Sequence, residues 1–213
     1  MARRFVPVST EHPYHLTARC VNREWFQLPI EDVWKIMEDY LFLTHSLYGM
    51  KIHAFVLMPN HFHLLASFPH GNIGPCMNYF MRETSREITR LSCRINQTYG
   101  ARHHKSMIDS YHYFMNVYKY IYRNPVRAKL SKFVEAYPYS TLAGLCGLRK
   151  LVIPLEPDIL IFNPDFQLDI LNWLNTKPKP EHEAEIRKGL RHPTFTLKTP
   201  RNKKESVLKS SLL

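Results

Sequence analysis

His61 and His63 flank Phe62 in the run Met58-Pro59-Asn60-His61-Phe62-His63-Leu64-Leu65. Side chains alternate faces along a β-strand, so here both imidazoles would project from one face and Phe62 from the other. Two imidazoles on one face of a rigid element make a two-point clamp for a divalent metal. Without a metal they are polar rings on an apolar strand, costly to bury unless hydrogen bonds satisfy them. The strand alone leaves both outcomes open. Far downstream, Tyr120 and Asn124 are four residues apart in a segment that also holds Tyr111, Tyr113, Tyr118 and Tyr122. In a helix that spacing puts them on one face, one turn from each other. An amide oxygen is an acceptable hard ligand for Mg2+ or Mn2+. A phenol is a nucleophile once its proton, with an ordinary pKa of about 10, is removed. One helix would then carry a nucleophile beside a third ligand, with His112, Lys119 or metal-bound water as candidate bases. An aromatic helix face packed on a sheet is the plain alternative. Tyr118 and Tyr122, rotated from Tyr120, fit packing or base stacking.

The surrounding pattern supplies elements to hold these groups. Tyr14 to Val21 reads as a first strand, and Ile30 to Tyr48 as an amphipathic helix stopped by Gly49. Lys51 to Met58 is an apolar run of strand length. Pro59-Asn60 is a turn, and His61 to Phe68 is a returning strand, so the double histidine opens the second arm of a hairpin. Residues 73–98 look helical, with Met77, Phe80, Met81, Ile88, Leu91 and Ile95 on one side and Arg82, Arg86, Arg90 and Arg94 forming a basic stripe. Arg102-His103-His104-Lys105 is a cationic segment. A helix from about Ser110 to Arg123 is expected to be interrupted at Asn124-Pro125, because proline disfavours helical geometry in the residue before it. Beyond residue 140 the pattern weakens: Leu151 to Pro154 and Asp158 to Phe162 are short apolar pieces, Phe166 to Asn175 and Glu183 to Leu190 are short helices, Lys177 to Pro180 is a spacer, and Arg201 to Leu213 reads as a solvated, mobile end.

A chain of 213 residues, 45% hydrophobic, fits one globular domain with an appended extension. Its net charge of +11, with 13% aromatic residues, suits a polyanion whose bases could stack on Tyr and Phe. Cys20, Cys76, Cys93 and Cys146 are too scattered for a zinc knuckle or a disulfide framework, and read as reduced core thiols of a cytoplasmic protein. The sequence shows no signal peptide and no apolar run of bilayer length.

His61-Phe62-His63 in the setting MPNHFHLL resembles the H-U-H motif, U being a bulky hydrophobic residue, of single-strand DNA nucleases and transposases. Tyr120-Ile121-Tyr122-Arg123-Asn124-Pro125-Val126-Arg127-Ala128 resembles the Tyr-Ile-x-x-Asn-Pro-Val-Arg-Ala signature of the REP-associated tyrosine transposases, a branch of the single-tyrosine transposase superfamily. Tyr14 to Arg19, Tyr99 to Ile108 and Tyr137 to Thr141 match weaker segments in the right order. The resemblance spans about residues 3–145. Tyr122 stands where the family often has Glu, Tyr139 where it has Trp, and Tyr99 with Arg102-His103 where it has a Trp and an Arg-Tyr pair.

The resemblance implies an α/β (α+β) domain, residues 1–145, with a ferredoxin-like or RRM-like palm: an antiparallel sheet of about four or five strands with packed helices. It leaves residues 146–213 as a C-terminal extension of unassigned role. It implies that His61, His63 and Asn124 hold one Mg2+ or Mn2+ and that Tyr120 cleaves and rejoins single-stranded DNA near a hairpin, such as a repetitive extragenic palindrome, through a 5′-phosphotyrosine. Arg3, Arg4, Arg82, Arg86, Arg90, Arg102, Lys105 and Arg127 are candidate DNA contacts, and the protein would act as a monomer or a homodimer, away from membranes. Two rivals stand beside this: a mobile insertion-sequence transposase working as an obligate dimer with its tyrosine supplied in trans, and a catalytically silent DNA-binding regulator. A histidine-triad hydrolase would need another histidine at 65, where Leu65 stands.

Overall fold

The computed structural model describes residues 8–157 and 167–197. Arg3 and Arg4, the apolar piece Asp158 to Phe162, Phe166 and the end Arg201 to Leu213 lie outside the described residues. Strand β1 (Tyr14–Arg19) leads through a short 3-10 turn to helix α1 (Ile30–Tyr48), then to the hairpin β2 (Lys51–Met58) and β3 (His61–Ser67), helix α2 (Ile73–Leu91) and strand β4 (His104–Met107). The sheet order is β2-β3-β1-β4, with every neighbouring pair antiparallel. This βαββαβ order is the ferredoxin-like arrangement that the sequence implied.

Both faces of the sheet are covered. Leu16, Phe55, Leu57, Phe62, Leu64 and Ala66 face α1 and α2 in one core, and Ala54, Val56, Met58 and Leu65 face helix α3 (Tyr111–Arg127) in another. An irregularity between Ile52 and Ala54 shifts the alternation of β2, so that Ile52 faces the first core and Ala54 the second. Short helix α4 (Thr141–Leu145) is capped by Ser140, whose side chain accepts from the Ala143 N–H. Helices α5 (Gln167–Asn175) and α6 (Pro180–Gly189) pack on the outer side of α3, where Leu174, Ile186, Leu190 and Phe195 join the second core. The spacer's Pro180 is the first residue of α6, a position that tolerates proline because its N–H would be unsatisfied anyway.

Three expectations change. Helix α2 ends at Leu91, not near residue 98: Cys93 takes a left-handed φ of 55°, Thr98 turns back to Ser85, and Leu91 and Ile95 are exposed. The cationic segment, given no regular structure from sequence, runs into strand β4, a charged edge that discourages pairing with other chains. Cys93 is exposed and Cys146 half-buried, so only Cys20 and Cys76 are core thiols; none of the four is in a disulfide. No helix among the described residues is long and apolar enough to cross a membrane.

Phe62 is fully buried between Phe55, Phe80 and Tyr99, on the face of β3 opposite the histidines. Phe62→Ala is expected to cost about 3–5 kcal/mol, read from urea unfolding; a loss below 1 kcal/mol would mean that this core does not hold β3.

Candidate active site

β3 presents His61, His63 and Leu65 to α3, and the rings of the two histidines lie 4.9 Å apart. Asn60 holds His61: its Nδ2 donates to the Arg23 carbonyl, so its Oδ1 is free to accept from His61 Nδ1 at 2.7 Å. The His61 proton therefore sits on Nδ1 and leaves Nε2 as a bare lone pair. His63 is buried and shares a 2.9 Å hydrogen bond, through Nδ1, with Nε2 of His15 on β1. Its Nε2 is buried with no hydrogen-bond partner. Burial holds both imidazoles neutral: the His61 pKa is pushed down to about 4, with Arg19 and Arg127 adding repulsion, and His63 lies well below its usual value for the same first cause.

Helix α3 starts at Ser110, whose hydroxyl accepts from the Tyr113 N–H, and runs without a break through Pro125 to Arg127. The expected interruption at Asn124-Pro125 is absent, for a local reason. Proline has no N–H, so the Ile121 carbonyl loses its usual partner. The Asn124 amide replaces it, Nδ2 donating to the carbonyls of Ile121 at 3.3 Å and Tyr120 at 3.0 Å. Oδ1 is thereby turned the other way and accepts from the Arg127 guanidinium at 2.7 Å. A flipped amide would oppose oxygen to two carbonyls and NH2 to a cation, so this orientation is the only satisfied one.

Tyr120 stands edge-on to both histidine rings, its centroid 5.9 Å from that of His63 and 6.3 Å from that of His15. The Arg127 guanidinium lies 5.3 Å from the Tyr120 ring centre, bonds Asn124, and meets Glu183 of α6 at 3.4 Å. Tyr120 thus meets His63 directly, while Asn124 is linked to the histidines through Arg127, which bonds Asn124 and whose charge bears on both imidazoles. Among the described residues no trio of His, Cys, Asp and Glu has metal-binding geometry; the available donor set is two imidazoles and an amide. Those donors fit a hard divalent ion: one imidazole nitrogen is buried and unpaired, a second is a bare lone pair, and the amide oxygen already engages a cation.

The other predicted residues scatter. Tyr118 and Tyr122 are core residues, Tyr122 bonding Thr141. Lys119 is turned to α5, over Trp173, and burial pushes its pKa down to about 8; His112 meets Asn116. The α2 stripe lies on the face of the sheet away from Tyr120. Arg82 and Arg86 pair with Glu83, Arg90 with Glu87, and Arg94 with Glu24, so its charge is locally compensated. Arg102 is exposed, and Lys105 lies over the Tyr14 ring. Sequence reasoning missed His15 and Arg19. Arg19 pairs in register with His61 at the end of β1. Only the strand alternation and the register of β1 on β3 would have placed either there.

A family model for IS200-like transposases matches residues 8–124, more than half of the chain, from just before β1 to Asn124 itself. The chain belongs to the IS200-like transposase family. The match takes in His61, His63, Tyr120 and Asn124. No curated protein matches the chain. Among solved structures, a REP-associated tyrosine transposase bound to a REP hairpin shares the fold, with a TM-score of 0.57 at 19% identity over 74% of this chain and 93% of that one. A crystal structure of a candidate transposase from Deinococcus radiodurans R1 aligns at 18% identity over 57% of this chain and 94% of that one, with a TM-score of 0.39.

The transposase carries a pH liability. His15, His53 and His61 are held neutral by burial, their pKa values pushed down to about 3, 4 and 4. Unfolded histidine titrates near 6.5, so below that pH the unfolded chain takes up protons that the fold refuses. Stability is therefore expected to be full above about pH 6.5 and to fall down to about pH 3. His53 bonds Ser67, away from Tyr120. His53→Gln should shrink the drop in urea-unfolding free energy between pH 7 and pH 5, and an unchanged drop would remove His53 from the cause.

Proposed function

We propose that this transposase belongs to the REP-associated branch, and that it nicks and rejoins single-stranded DNA beside a hairpin through a 5′-phosphotyrosine on Tyr120, with Mg2+ or Mn2+ held by His61, His63 and Asn124. The observation that carries this is the convergence of the Tyr120 ring on His63, whose Nε2 is buried and unpartnered, with Asn124 Oδ1 one helical turn away, turned from the helix carbonyls to Arg127. The NPVRA form of the signature and the likeness to a protein bound to a REP hairpin support the branch and the partner. The cytoplasm, where such DNA is found, is the proposed location.

When bound, the ion supplies Lewis-acid polarisation of the scissile phosphate. The side chains do the rest. Arg127 and Arg19, whose charges bear on both histidines, draw in the phosphate and offset its charge as the pentavalent transition state forms. Tyr120, half-buried against His63 and His15, is held in one orientation for in-line attack. Its Oη bonds phosphorus, the P–O3′ bond breaks, and in balance the phenolic proton ends on the released 3′-hydroxyl. The phosphotyrosine keeps the bond energy, so an incoming 3′-hydroxyl reverses the step and joins strands. Asn124 must release Arg127 to reach an ion, and Glu183 offers that guanidinium a second partner.

The in-trans dimeric reading is less well supported, because α3 lays Tyr120 against the His63 of its own chain. A tyrosine supplied in cis fits a monomer or a homodimer as the working unit.

Incubation with Mg2+ or Mn2+ and a hairpin oligonucleotide is expected to give a covalent protein–DNA adduct on a denaturing gel. Tyr120→Phe should abolish the adduct and leave binding intact; an adduct that survives in Tyr120→Phe names another nucleophile. Asn124→Ala should shift the Mn2+ titration of adduct formation to higher concentration by at least about tenfold, and an unmoved titration would strike Asn124 from the ligand set.

A further inference from the structure

His15 enters no step above, yet it makes the shortest side-chain contact to either histidine of the motif from another strand. It lies on β1 opposite Leu65, diagonal to His63, which faces Thr17. The two rings stack 5.1 Å apart, tilted by 24°, and both are buried. His15 Nε2 and His63 Nδ1 share one hydrogen bond, while His15 Nδ1 and His63 Nε2 have no partner. A neutral imidazole carries one proton, one of its nitrogens donating and the other accepting. The pair therefore has two arrangements. If His15 Nε2 donates, the His63 proton must sit on Nε2, and that nitrogen cannot ligate. If His63 Nδ1 donates, the His63 Nε2 lone pair is bare.

We propose that His15 is a positioning residue whose Nε2 accepts from His63 Nδ1, selecting the one tautomer of His63 that can bind a cation and fixing its ring. The proposal rests on the metal assignment under Proposed function. It completes a symmetry at the site: Asn60 does the same for His61 through its carbonyl oxygen. Metal-ligating histidines ordinarily give their second N–H to a carboxylate, a carbonyl or water. Here a second imidazole takes it, within a stack that also meets the edge of Tyr120. His15 thus orients His63 and itself meets the ring of Tyr120.

The test is Mn2+ titration followed by electron paramagnetic resonance on the metal-free full chain, without DNA. Wild type should bind and His63→Ala should not. His15→Phe keeps a stacked ring but offers no acceptor, and should weaken Mn2+ binding by about 10–100-fold. His15→Gln, whose amide oxygen can accept from Nδ1, should recover most of that loss. If wild type binds no Mn2+, or His63→Ala binds as well as wild type, the metal assignment itself falls. If those two behave as expected but His15→Phe matches wild type, or His15→Gln is no better than His15→Phe, the metal assignment stands and the role of His15 is overturned. A wild-type measurement guards against misfolded variants: 15N NMR of the Mg2+-bound protein should show an N–N coupling across the His15–His63 hydrogen bond, with the proton on His63 Nδ1. No coupling, or a proton on His15 Nε2, overturns the proposal.

Discussion

Strand β3 is hydrogen-bonded along both edges, to β1 over six residue pairs and to β2 over seven, and the site depends on that double pairing. A slip of one residue would turn His61 and His63 into the apolar core and put Phe62 and Leu64 against α3. What forbids the slip is largely the other face of the strand. Phe62, Leu64 and Ala66 are buried against α1 and α2, so apolar burial on one side holds polar groups in register on the other. The cost of turning those imidazoles from water is met by the three-layer fold, and it shows as depressed basicity in every histidine of the group.

A common logic aims the polar atoms. Each of these groups has two hydrogen-bonding ends, and a neighbour engages one of them. Asn60 accepts from Nδ1 of His61, His15 and His63 share one hydrogen bond at His63 Nδ1, and the two carbonyls of α3 take the amide nitrogen of Asn124. In the last case the neighbour acts through what it lacks. Pro125 withholds an N–H, Asn124 fills the gap, and the helix survives a residue that usually ends one.

The hairpin and α1 were legible residue by residue, because strand and helix periods are strong over such lengths and Gly49 supplies a left-handed stop. Tyr120 and Asn124 were legible as a pair because both lie on one turn of one element. The run of α3 through Pro125 was not, since a rule about backbone sterics does not see a side chain substituting for a missing N–H. The edge strand β4 was hidden by the charges that protect it. His15 was hidden for a different reason: its importance lies in a diagonal contact between strands distant in sequence, and only the register supplies that. The basic stripe of α2 was visible as arginines every fourth residue, but its pairing with Glu83, Glu87 and Glu24 required coordinates.

Glu183 reaches Arg127 from α6, well after the sheet and α3 in the chain. Chains are synthesised from the N-terminus, so the histidines, Tyr120 and Asn124 are translated before that carboxylate and before Leu174, Ile186 and Phe195, which close the outer side of α3. A chain cut short before α6 would leave the Arg127 guanidinium to Asn124 and the Tyr120 ring, with the outer side of α3 uncovered.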